Sequence, residues 1–288
     1  MQEYLYTDDS QVKIMSIPHI IVKSLREGFL TKRFVPLFAL YFLFLAVLLT
    51  FMNPVLKILP DILSLEFTKF SLGVVGVTFA TLLILFAIVL FTNLWFNGAL
   101  CYQAYSKKPF RFCLKKSQQV YWRILALSFI TILIGFVTFQ LPTLGNVIRI
   151  ILDLILFFAL PSVLIKNYPL VLSIKKSFNL FSKNILRTVI FWVSMFLILI
   201  LIFLALAFSI AAIAAPVLMK SLSSISSLDI TSTDKQVWIQ IVGVVLNNYP
   251  LLYVLSVVVA YFMSGAYTFY IFGRTYFYLE LLKKKSKQ

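Results

Sequence analysis

Long apolar runs, separated by short basic stretches, govern this chain from residue 34 onward. Six runs are long enough to cross hydrocarbon, which takes roughly 20 apolar residues: 34–52, 72–96, 122–140, 144–165, 185–219 and 241–273. The second is expected to continue as helix toward Tyr105. In lipid, backbone N–H and C=O groups must be satisfied within the segment, so runs of this length predict helices. The alternating segments of about ten residues that mark a membrane barrel are absent from the sequence. At 1.5 Å per residue the fifth run is roughly 50 Å long, against a hydrocarbon core of about 30 Å, so it must tilt, kink or protrude. Pro216 limits its regular part. The expected fold class is all-α: a polytopic membrane bundle of six transmembrane helices, one integral membrane domain over 1–288.

Composition agrees with this reading. Of 288 residues, 61% are hydrophobic and 12% are charged, with a mean hydropathy of +0.97. A soluble domain carries about twice that charged fraction. A net charge of +16 in a soluble protein would suggest a nucleic-acid partner. Here the charges are sorted by position. Lys and Arg gather before the first run, between runs two and three, between runs four and five, and at the C-terminal end. The opposite side holds Lys57, Lys69, Lys220 and Lys235, and Arg149 falls inside a run. Such a bias predicts both termini in the cytoplasm and the chain in the cell membrane. The charge is thus read as a topology signal, and no nucleic-acid partner is expected. The polar start, with Glu3, Asp8 and Asp9, does not read as a cleavable signal peptide.

Three of the basic stretches resemble one another: Val22-Lys23-Ser24, Lys115-Lys116-Ser117 and Lys175-Lys176-Ser177. Each precedes a pair of spans. The chain therefore reads as three helix-hairpin units, 18–105, 109–165 and 169–280, each opening with a basic cytoplasmic surface helix. The third stretch is the clearest. Pro169 suits a first helical turn, and Leu170, Val171, Ile174, Phe178, Phe181 and Ile185 share one face at 100° per residue. Lys175, Lys176, Asn179, Ser182 and Lys183 lie opposite, as expected of an amphipathic helix on the inner leaflet. Lys115, Lys116, Lys175, Lys176, Lys183 and the tail Lys283-Lys284-Lys285 form the expected headgroup surface.

The stretch Phe158-Ala159-Leu160-Pro161-Ser162-Val163-Leu164, then Ser173-Ile174-Lys175-Lys176-Ser177-Phe178-Asn179-Leu180 and Lys183-Asn184, carries a resemblance. It is similar to the integral-membrane domain that precedes the catalytic domain in some glycerophosphodiester phosphodiesterases, and to related six-helix prokaryotic membrane families. It departs from their pattern at Lys166-Asn167, where an acidic residue is common. The resemblance implies a layout of spans and surface helices. It implies no activity, since no stretch of the phosphodiesterase catalytic domain is present to carry catalytic residues over.

Few residues suggest chemistry. His19 is the single histidine, and Cys101 and Cys113 have no metal-ligand spacing, so no metal or cofactor is expected. Arg149 and Asp153 sit four apart in the fourth run, where they can pair on one helix face. Charges at that depth are costly and default to a functional hypothesis, with a self-neutralising structural pair as the plainer reading. Asn93 and Asn97 are placed to hydrogen-bond between helices. Small residues recur every fourth position, Ala207, Ala211 and Ala215 in the fifth run and Ser256, Ala260 and Ser264 in the sixth. Such stripes let backbones approach, and these two are expected to pack on each other, with a partner subunit as the alternative. The loop 221–235 reads as a solvated connector.

The sequence thus points first to a non-enzymatic accessory or scaffold subunit that contacts inner-leaflet lipid and partner proteins or further copies of itself. The alternative is a transporter or permease component for a small or lipidic solute. A packed interior with an exposed small-residue face would favour the former. A cavity reaching Arg149, Asp153, Asn93 or Asn97 would favour the latter.

Overall fold

The structure is a computed structural model that describes residues 16–30, 32–63, 69–141, 144–225, 243 and 246–285. Among these residues it is all-helical. In chain order the helices are α1 (Ile17–Phe29), α2 (Val35–Leu63), α3 (Lys69–Ser106), α4 (Phe110–Gln119), α5 (Tyr121–Phe139), α6 (Leu144–Leu156), α7 (Ala159–Lys166), α8 (Leu170–Lys183), α9 (Ile185–Ile225) and α10 (Tyr249–Lys285). A short 3-10 turn, Lys32–Phe34, leads into α2.

Six helical segments among the described residues are long and apolar enough to cross a membrane: Lys32–Ile58, Gly73–Ser106, Tyr121–Phe139, Leu144–Lys166, Ile185–Val217 and Tyr249–Lys283. Much of their apolar surface faces outward. Leu83, Ile84, Phe86 and Ile88 of α3 and Leu197, Leu201, Leu204 and Phe208 of α9 are all exposed. Water tolerates contiguous apolar patches of only a few hundred Å², so this surface belongs in hydrocarbon.

Several boundaries differ from the sequence expectation, among them the end of α2, which runs to Leu63 and not to residue 52. α9 continues through Pro216 for 41 residues, roughly 60 Å at 1.5 Å per residue. Proline removes one N–H and crowds the carbonyl four residues back, a local defect that long apolar helices absorb. The connector expected over 221–235 is helical as far as Ile225, and its remaining residues lie outside the described ones. The sixth span as an element begins at Tyr249 and runs to Lys285, so Arg274 and Glu280 are interior to a helix. The fourth span is broken: α6 ends at Leu156, and α7 starts at Ala159. Pro161 explains the break, because it cannot donate to the carbonyl of Phe157 and its ring crowds that carbonyl.

The short helices α1, α4 and α8 each rest on a different span. α1 packs on α10, α4 on α3, and α8 on α6 and α7. Of the helices that follow, α2 packs chiefly on α10, α5 on α6 and then on α3, and α9 on α10, with only a light contact to α6. At the centre α3, α7 and α10 meet, with Leu100, Phe158, Val163 and Phe277 in the shared core, while Phe269 meets Gly28 of α1 and Phe272 lies under the Arg33 guanidinium. Phe191 of α9 stacks on Phe277 with centroids 4.2 Å apart.

The three serines of the recurring basic stretches, Ser24, Ser117 and Ser177, are fully buried. So are the residues one turn earlier, Ile20, Cys113 and Ser173. Ser117 donates to the carbonyl of Trp95 on α3 at 2.9 Å. Ser177 bonds the carbonyl of Ile155, and its oxygen accepts the N–H of Phe158 at 3.1 Å. The turns before α4 and α8 also match. A left-handed residue, Lys107 (φ 56°) or Asn167 (φ 53°), comes two positions before Pro109 or Pro169. Pro169 caps α8 and does not enter its first turn, one position earlier than expected.

Candidate functional site

The break in the fourth span creates the site. Where α6 stops, the carbonyls of Ile155 and Leu156 lose their helical N–H partners, and such groups away from water need others. Ser177 takes the first, and Arg274 Nη2 takes the second at 3.3 Å. Arg274 thereby turns from α10 toward α6, with its guanidinium over the Phe157 ring, 5.6 Å from the centroid.

Beside Arg274 is a cavity of about 380 Å³, bounded by α3, α5, α6, α7, α9 and α10. Its polar lining is Asn97, Ser128, Thr131, Asp153, Tyr267, Tyr270 and Arg274; Leu94, Leu127, Leu160 and Trp192 are among the apolar groups. Thr131 and Ile132 are exposed and form its rim on the outer side of α5. The Asp153 carboxyl is half-buried and lies in the field of both Arg149 and Arg274. Asn97 donates its amide N–H to the Tyr267 hydroxyl at 2.7 Å. Its Oδ1 is buried with no hydrogen-bond partner, and Arg274 Nε is in the same state. A buried unpaired polar atom costs roughly 1–3 kcal/mol, so the cavity offers an acceptor, a donor, a carboxylate and a guanidinium to whatever enters.

Comparison with protein-family models, with curated proteins and with solved structures finds no match.

The residues expected from the sequence fall into several settings. Asp153 and Asn97 meet in the cavity. Arg149 does not join them as a paired partner. It is exposed on α6, and the salt bridge found among the described residues is Arg33–Glu27, at 2.7 Å. The neighbour of Asp153 from another helix is Arg274, which sequence reasoning assigned to the C-terminal end. Its signal was its position nine residues before the polylysine run, deep enough for a helix to carry it inward. Asn93 faces α2, where it accepts the Tyr41 hydroxyl at 3.1 Å.

The two small-residue stripes do not pack on each other. Ser256, Ala260 and Ser264 are buried in α10, where Ser256 and Ser264 donate to carbonyls three residues back. α9 turns Ile202 and Leu206 inward, and Ala207 and Ala211 stay exposed, with Ala215 intermediate. The basic residues Lys115, Lys175, Lys176, Lys183 and Lys283 are exposed, and Lys116 donates to Gln119 Oε1 at 3.2 Å. The side chains of Lys284 and Lys285 lie outside the described residues. On α8 the exposed apolar side chains are Val171 and Phe178, on one side of the helix, and Leu172, which lies among the lysines; the buried serines occupy the remaining side.

Outside the spans, burial first and then the Lys107 charge hold the Lys23 ammonium below the ordinary lysine value, although Glu27 opposes this. Lys23 stacks over the Tyr276 ring at 4.2 Å.

Proposed function

We propose that this chain is a multi-pass protein of the cell membrane, with both ends in the cytoplasm, that admits a small or lipidic solute to the cavity at Asp153 and Arg274. It acts as a transporter or permease component and catalyses no covalent step. One observation carries this reading: a helix broken at Phe157–Phe158 beside a charged, partly unsatisfied cavity. Irregular backbone at membrane depth is tolerated where it lines a cavity, and discontinuous helices commonly form transporter binding sites. Amphiphiles suit the site, because one wall is apolar and the exposed rim opens sideways on α5.

The same reading takes the chain as three units of one plan, with α1, α4 and α8 as amphipathic helices on the inner leaflet. The cyclic packing of each surface helix on the preceding unit's returning span supports it, as do the matching turns at Lys107 and Asn167. The second reading, an accessory subunit, is favoured by the exposed Ala207 and Ala211. Mild extraction into lipid nanodiscs followed by mass spectrometry separates the two. A retained lipid or solute that is lost in Asp153→Asn and Arg274→Gln supports the cavity reading. A stoichiometric protein partner, with no bound small molecule, replaces it by the accessory reading.

A further inference from the structure

At the basic end, a second and smaller cavity of about 150 Å³ lies between α7, α8 and α10. Lys166 reaches it from the last turn of α7, and Lys176, Asn179 and Lys183 reach it from α8 at i, i+3 and i+7, which is one helix face. The floor is formed by Ser162 and Tyr278, both nearly inaccessible to solvent. No acidic side chain lines it, and no salt bridge to these lysines is found among the described residues.

Solvated lysines on an open helix face would need no explanation. A positive charge at the end of α7 also complements that helix dipole, which accounts for Lys166 by itself. Neither reason accounts for three ammonium groups sharing one recess over a hydroxyl floor. Ser162 Oγ donates to the Tyr278 oxygen at 3.3 Å, which leaves the Tyr278 proton for a further acceptor. The Asn179 amide supplies another donor. The rim is held in shape by Arg123, which donates to the Asn167 carbonyl at 3.2 Å and to its Oδ1 at 2.8 Å across the left-handed turn. The volume is below the roughly 300 Å³ at which pockets begin to take whole drug-sized molecules, so the occupant is a compact group.

We propose that this recess is a binding site for a phosphate group, gripped by Lys166, Lys176 and Lys183 with the Tyr278 hydroxyl and the Asn179 amide as neutral donors. A tetrahedral oxyanion has the charge and the acceptor count that this donor set requires. The phosphate comes either from an anionic lipid headgroup or from a soluble phosphate, and the test separates these sources.

The full chain is purified in a neutral maltoside detergent. Its melting temperature is followed against inorganic phosphate, and separately against phosphatidylglycerol in mixed micelles. Sodium chloride at matched ionic strength and phosphatidylcholine are the controls. The wild type is expected to be stabilised above both controls, and Lys176→Gln/Lys183→Gln to need about ten-fold more ligand for the same shift. Lys32→Gln/Arg111→Gln, which removes equal charge from exposed positions outside this recess and outside the expected headgroup surface, is expected to behave as wild type. Stabilisation by phosphatidylglycerol alone assigns the site to lipid headgroups, and stabilisation by both ligands assigns it to any phosphate. The proposal is overturned if neither ligand exceeds its control, or if the two double variants lose the response equally.

Discussion

The hydroxyl of Ser117 occupies the space that a side chain on Gly98 would need. A Cβ at Gly98 would also come within 2.7 Å of Ile124 Cδ1, so α4 and α5 both close on α3 at this glycine. Gly98→Ala is therefore expected to destabilise the protein by about 1–3 kcal/mol, the usual cost of overpacking. Adding Ser117→Ala should recover part of the loss and leave the Ile124 collision. A melting series of the two single variants and the double variant checks this, and strict additivity would contradict it.

Ser177 and Ser24 are equally buried but not equally engaged. Ser24 bonds the Ile20 carbonyl of its own helix at 2.7 Å. Ser177 serves two backbone groups at the break between α6 and α7. Ser177→Ala leaves both without that partner and is expected to cost about 1–3 kcal/mol. Ser24→Ala removes only a back-bond to a carbonyl already held within the helix, and is expected to cost less than about 1 kcal/mol. Parallel denaturation of the two variants in detergent tests the order.

Arg274 mends the same break from the other side. Arg274→Gln is expected to destabilise by about 1–3 kcal/mol, since the Leu156 carbonyl and the Asp153 carboxylate both lose a cationic neighbour. Arg149→Gln, on the exposed face of α6, should fall within about 0.5 kcal/mol of wild type. Equal effects of the two substitutions would mean that the Arg274 bond to the Leu156 carbonyl adds nothing beyond the field both arginines exert on Asp153.

Lys23 gives a pH dependence with a definite sign. Its ammonium is held below the ordinary value of 10.5, so the folded chain releases that proton before the unfolded chain does. Over that interval the unfolded state binds more protons, and stability rises with pH until about 10.5, where the contribution levels off. Melting temperatures between pH 8 and 10.5 should show this rise in the wild type and a weaker one in Lys23→Met.

The long elements were legible because apolar run length alone predicts them, and the basic stretches of α4 and α8 marked two short helices between them. The helical wheel of α8 found its exposed apolar side, Val171 and Phe178, but not the side that meets the protein. That contact is made by Ser173 and Ser177, and small hydroxyl residues carry little apolar signal. The break at Phe157–Phe158 was hidden because both flanking segments are apolar and read as one run over 144–165. Arg274 was missed for the same reason that α10 was cut short: Arg274, Thr275, Tyr276, Tyr278 and Glu280 lower the local hydropathy after Gly273, yet Tyr276, Phe277 and Tyr278 are buried. Of the cavity, the sequence held Asp153 and Asn97, and only three-dimensional proximity could add the third.

The seat of α1 has a consequence for how the chain assembles. Gly28 of α1 lies against the Gly265 carbonyl and the Phe269 backbone of α10, so the first helix is buttressed by the last. During synthesis α1 emerges long before its seat exists, whereas α4 and α8 each meet a span already made. The ring of contacts can shut only when α10 arrives. Until then the nascent protein keeps one open seam, between α1 with α2 and the unfilled place of α10, where a chaperone, an insertase or a stray helix can still enter.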